Sequence, residues 1–76
     1  MMFRHEDTPI EKVYRRIWEV DMIQRGSTAK EIALDTQLTF AEVNKALEEL
    51  CTREYIIENY KIQNLSGGKG GWVIRR

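Results

Sequence analysis

Between Thr39 and Leu50 the chain reads TFAEVNKALEEL, and Ala41, Asn44, Lys45 and Glu48 within it have side chains able to address the edges of nucleic-acid bases. Alanine offers a methyl surface to thymine, asparagine a bidentate amide to adenine, lysine a donor to guanine or phosphate, and glutamate an acceptor for the amino group of cytosine. Arg53 lies just beyond this stretch, Lys30 opens an earlier helical segment, and Lys69 sits between glycine pairs in GGKGG. Glycine admits close backbone approach, and a lysine there neutralises phosphate charge. Against this stands the charge of the stretch itself, where Glu42, Glu48 and Glu49 outnumber Lys45. The same residues also suit an ordinary solvated helix face.

Other chemistries find less support. His5 has no nucleophile near it in sequence, and Glu6 and Asp7 beside it read as a solvated tail. One cysteine, Cys51, excludes an internal disulfide, and one cysteine with one histidine falls short of the four ligands of a structural zinc site. Cys51 itself is expected to be a small, partly buried apolar residue. GGKGG lacks the spacing of a nucleotide-gripping loop and precedes a strand pattern, not a helix. No catalytic constellation emerges, so a non-enzymatic protein without metal or cofactor is expected.

The totals bound the rest. At 76 residues, 42% hydrophobic and 32% charged, the chain has the composition of one globular domain. A chain this short buries only about 60–65% of the surface its unfolded form exposes, so the core is modest. Twelve Lys and Arg balance twelve Asp and Glu, so any binding of a polyanion must rest on a local patch. Residues 51–76 supply one: Arg53, Lys61, Lys69, Arg75 and Arg76 against Glu54 and Glu58, five minus two, or +3. With no secretory signal pattern and no apolar run long enough for a membrane span, an intracellular protein without membrane contact is expected.

The elements that must position these residues are announced by three T-x-x-E boxes, at Thr8, Thr28 and Thr39. In each, the threonine can cap a helix and the glutamate can reach back to the cap's own N–H. The first helix is expected over about Pro9–Gln24, with Ile10, Val13, Tyr14, Ile17, Val20 and Ile23 near one face, Trp18 and Met22 widening it, and Arg25-Gly26 closing it. A short second helix follows over about Ala29–Asp35, with Ala29, Ile32 and Ala33 facing inward. Thr36-Gln37-Leu38 is a turn with Leu38 as a plug, and a third helix covers about Phe40–Thr52 with Phe40, Val43, Leu47 and Leu50 buried and Ala46 beside them.

Residues 54–63 then change to a strand pattern, with Ile56, Tyr60 and Ile62 on one side and Tyr55 and Ile57 on the other. A glycine-rich connection leads to a second strand, Trp72–Ile74, and Gly26-Ser27-Thr28 can add a minimal third. Residues 1–8 are expected to be a tail and residues 9–76 the domain.

This order, an α+β arrangement of three helices and a two- or three-stranded hairpin, resembles the winged helix-turn-helix superfamily. STAKEIALDTQLTFAEVNKALEELCTREYII resembles the MarR-like and TrmB-like run of short helix, turn leucine, capped recognition helix and strand. The resemblance implies a small double-stranded-DNA-binding transcriptional regulator. Phe40–Thr52 would read the major groove, and residues 66–71 would form the wing on the backbone. Gln37 and Glu54 stand where many members have glycine, and the recognition helix lacks their dense basic charge. A second resemblance is to Z-nucleic-acid-binding winged helices, through Asn44, Lys45 and Trp72, although Glu48 replaces that family's tyrosine and the wing lacks its prolines. A third is to winged helices of multi-subunit transcription assemblies, which implies a protein partner meeting the neutral helix face and Tyr60 or Trp72. Tyr14, Trp18 and Met22 on the first helix have two readings, a symmetric homodimer surface or the completion of a small core.

Overall fold

The computed structural model describes residues 8–76; His5, Glu6, Asp7 and the rest of the tail lie outside the described residues. Three helices, α1 (Pro9–Met22), α2 (Ala29–Thr36) and α3 (Phe40–Thr52), precede an antiparallel pair, β1 (Ile56–Gln63) and β2 (Lys69–Ile74). This is an α+β arrangement consistent with a winged helix-turn-helix.

Each helix begins where its threonine stands. Thr28 accepts the Glu31 N–H at 3.1 Å while Glu31 accepts the Thr28 N–H at 3.1 Å, and Thr39 and Glu42 repeat the exchange at 3.1 and 2.9 Å. At Thr8 the hydroxyl takes the Glu11 N–H at 3.3 Å and donates to the Glu11 carboxylate at 3.2 Å. Such caps satisfy donors that the first helical turn leaves open, each worth about 1 kcal/mol.

The helix ends depart from expectation. α1 stops at Met22, because Ile23 and Gln24 turn their N–H groups to Val20 and Asp21 and tighten the chain. Gln24 then takes the left-handed conformation, φ 61°, that was expected of Gly26. Gln37 and Glu54 do likewise at φ 61° and 65°, so both turns that resemble glycine positions are made by non-glycine residues. α2 runs one residue further than expected, and its last residue, Thr36, bonds back to the Ile32 carbonyl at 2.6 Å.

The core gathers Val13 and Ile17 of α1, Ile32 of α2, Val43, Ala46, Leu47 and Leu50 of α3, and Ile56 of β1. Leu38 packs against it from the turn, as its plug position implies. Val43, Leu47 and Leu50 are buried as expected with Ala46 beside them, but Phe40, at the first helical position, has an exposed side chain. Trp18, Met22 and Ile23 are also exposed, so they do not complete the core. Cys51 is exposed rather than partly buried.

In the hairpin, Ile56 pairs with Ile74 and Glu58 with Trp72, until the register shifts between Asn59 and Gln63. Tyr60, Lys61 and Ile62 lie within this bulge, which breaks the expected alternation: Ile56 is buried and Ile62 half-buried, but Tyr60 points to solvent. Beyond the bulge Gln63 pairs with Lys69, so β2 starts three residues earlier than expected. The third strand is reduced to two bridges, Ser27 with Trp72 antiparallel and Gly26 with Asn64 parallel, while Thr28 serves α2 as its cap.

At this seam backbones nearly touch. A Cβ on Gly71 would lie 2.7 Å from the Ser27 nitrogen and 2.8 Å from the Gly26 carbonyl carbon, and the residue's φ is +154°. Gly67, at φ +95°, has nothing within 4 Å of its own missing Cβ. Gly71→Ala should therefore cost about 3 kcal/mol or more, because contact and backbone strain add, whereas Gly67→Ala should cost about 1 kcal/mol from strain alone. Urea unfolding of the two variants checks this; equal losses would refute the seam as the tighter constraint.

Candidate nucleic-acid interface

The outward side of α3 is set by what its inward side buries. With Val43, Ala46, Leu47 and Leu50 inside, Ala41, Asn44, Lys45 and Glu48 are all exposed. The acidity of this helix is partly absorbed locally. Glu42 holds the Thr39 N–H, and Glu49 holds Arg53 at 2.5 Å, leaving Glu48 as the carboxylate beside Asn44 and Lys45.

Lys45 lies on a flank. It lines a cleft of about 440 Å3 with Pro9, Ile10, Glu42, Ala46 and Glu49, where α3 passes the start of α1. Arg53 borders the same cleft and is committed to Glu49, so it does not stand with Ala41 and Asn44 as a free cation. Lys30 is exposed in the first turn of α2, and Lys69 is exposed where β2 leaves the glycine turn. None of Lys30, Lys45 and Lys69 makes an ion pair among the described residues.

Trp72 is half-buried and packs against the core, and its N–H and C=O both bond Ser27, at 2.8 and 3.1 Å. Its ring is thus part of the domain's own packing. Of the C-terminal pair, Arg76 binds the buried carboxylate of Asp21 at 2.5 Å, which raises its guanidinium pKa above the ordinary value. Arg75 carries its charge to solvent without an ion pair among the described residues. The +3 balance of residues 51–76 therefore overstates the charge open to a ligand, since Arg53 and Arg76 are already engaged.

Two residues absent from the sequence-based set organise the wing. Asn64, almost fully buried, receives the Ser66 and Gly68 N–H groups on Oδ1 at 3.1 and 3.0 Å and donates to the Gly70 carbonyl at 3.0 Å. Its bond to the backbone two residues on was legible as an asparagine-turn pattern in NLSGG. Glu31, read from sequence only as a cap, also receives the Ser66 N–H at 2.7 Å. No local pattern signals that contact, which spans 35 positions.

Among the described residues no group of three or more His, Cys, Asp and Glu is placed to hold a metal, and no helix is long and apolar enough to cross a membrane. Comparison of the chain with family models, curated proteins and solved structures gave no match.

Tyr60 illustrates how the surface is tuned. Its phenol donates to Glu58 at 3.1 Å, and this bond, then the carboxylate's charge, raises its pKa above the ordinary tyrosine value. The neutral phenol is the form held, so Glu58→Gln should lower the Tyr60 midpoint toward that ordinary value. NMR titration of the ring carbons checks it; an unchanged midpoint would rule out the Glu58 contact as the cause.

Proposed function

We propose that this domain is a small winged-helix protein of the MarR-like and TrmB-like kind that binds double-stranded DNA as a transcriptional regulator. The observation that carries the reading is the set of three lysines, Lys30, Lys45 and Lys69, exposed on three elements and unpaired among the described residues, together with the exposed Ala41, Asn44 and Glu48 of α3. In this reading Asn44 and Lys45 meet base edges, Glu48 selects cytosine, and Lys30 and Lys69 meet phosphates.

With about two phosphate contacts, affinity for a random duplex should fall roughly 12-fold between about 50 and 200 mM salt. Lys69→Ala should weaken binding to all sequences alike and reduce the salt slope by about one, whereas Asn44→Ala should relax the preference at one base position. Fluorescence anisotropy with labelled duplexes measures both effects. Salt-insensitive binding, or the same response of both variants to cognate and random DNA, would defeat the reading.

A second reading, a module that docks on protein, is favoured by the exposed apolar side chains. Met22 is 63% exposed, Ile23 61% and Leu34 71%, and Trp18 stands half-exposed one helical turn before Met22. A partner protein, or a second copy joined through α1 as a symmetric homodimer, would cover Trp18 and Met22. Association through this face should persist at high salt and be lost in Met22→Glu by sedimentation analysis. A monomer at every concentration and salt would exclude the homodimer.

A further inference from the structure

Glu31 uses its two oxygens for two different elements. Oε1 accepts the Thr28 N–H at 3.1 Å and completes the cap of α2, while Oε2 accepts the Ser66 N–H at 2.7 Å and the Ser66 hydroxyl. The wing turn is held together internally by Asn64, whose side chain gathers Ser66, Gly68 and Gly70. Ser66 belongs to both systems, so it is the point at which this turn is attached to the start of α2. Lys30 precedes Glu31 in that first helical turn, and Lys69 follows the glycines that the turn contains.

The geometry points to Glu31 as a wing-positioning residue: by fixing Ser66 to the first turn of α2, it holds Lys69 in a set relation to Lys30, so that the two lysines form a two-point phosphate clamp before ligand arrives. The phosphate ligand rests on the DNA reading proposed above; the brace itself does not. A turn of four glycines around one lysine is costly to order, and ordering it in advance removes that cost from binding. Both oxygens of the Glu31 carboxylate are engaged by these Thr28 and Ser66 hydrogen bonds.

Glu31→Gln separates the two roles. Glutamine still completes a capping box with its single carbonyl oxygen, but it then turns an NH2 group toward the Ser66 N–H, donor against donor. Ser66→Ala removes the hydroxyl bond alone and serves as the second variant, with thermal unfolding confirming that each remains folded. In free Glu31→Gln protein, exchange of the Ser66 amide should accelerate about tenfold. Its Kd for a random duplex should rise roughly fivefold with an unchanged salt slope, since the lysines still reach phosphate but must first be ordered. In a Lys69→Ala background that loss should disappear, because the clamp is already broken.

An additive loss in the double variant would reduce Glu31 to a purely structural role and overturn the positioning claim. Unchanged Ser66 exchange in Glu31→Gln would overturn the brace. If the unaltered chain binds no duplex at all, the DNA reading and the phosphate clamp fall together, and the exchange data still decide the brace by themselves.

Discussion

Everything in this domain hangs on the close approach of Gly26-Ser27 to Gly71-Trp72. Trp72 gives both of its backbone polar groups to Ser27 on one side and faces Glu58 across the hairpin on the other. The helical half and the hairpin are therefore joined through main chain, where geometry is strict and only a residue without a Cβ fits at position 71. The seam carries a cost as well, since the Ser27 hydroxyl is buried without a hydrogen-bond partner. Leaving such a group unpaired costs about 1–3 kcal/mol, which the surrounding backbone bonds and core burial must offset. Because Thr28 caps α2 immediately after Ser27, the seam also fixes where α2 begins and hence where α3 lies.

A second level of order is built on the first. Once α2 starts at a fixed place, its third residue, Glu31, is delivered to the base of the glycine turn. Asn64, paired with Gly26 at the seam, is delivered to the same place from the sheet side. Cap, seam and turn thus meet in a small region, and the wing is shaped by its asparagine and tethered by a helix cap. The glycines supply conformations such as φ +95° at Gly67, while the polar side chains choose among them.

What the sequence made legible follows from the range of the interactions involved. Helix starts were readable because a capping box is complete within four residues, and α3 falls on the expected span, Phe40–Thr52, for that reason. Helix ends were less so, because Gln24 and Gln37 adopt conformations that local chemistry assigns to glycine and only tertiary packing enforces. Phe40 fits the inward stripe by spacing, yet at the first helical position it lies beyond the reach of the core and is exposed, while the rest of the stripe is buried as its spacing implies. Tyr60 was misplaced because a bulge leaves no clear periodic mark. Among the site residues, exposure of Ala41, Asn44, Lys45 and Glu48 was legible from one helix alone; the engagement of Arg53 and Arg76, and the brace between Glu31 and Ser66, was not. Arg76 and Asp21 are far apart in sequence, and nothing local announces that they meet.

The division of labour between arginine and lysine bears on how such a surface can bind. Arginine does the intramolecular pairing: Arg16 with Asp35 at 2.8 Å between α1 and α2, Arg53 with Glu49, and Arg76 with Asp21. Its planar fork suits a fixed carboxylate. Apart from Arg75, the positive charge on α3 and the hairpin left unpaired among the described residues is lysine, a flexible point charge that attracts phosphate but reads bases poorly compared with a bidentate arginine. In the DNA reading, attraction and discrimination are then carried by different residues, with Asn44 and Glu48 supplying most of what is sequence-specific. Few phosphate contacts and few base contacts make one domain a weak binder. A second domain held nearby would raise the effective concentration without any new contact to DNA. The exposed Trp18 and Met22 lie on α1 and the exposed Asn44 and Glu48 on α3, so a second copy could be carried by a different helix from the one that faces DNA. In the DNA reading, few charges on one face and apolar exposure on another are compatible, because pairing through the second would offset the weakness of the first.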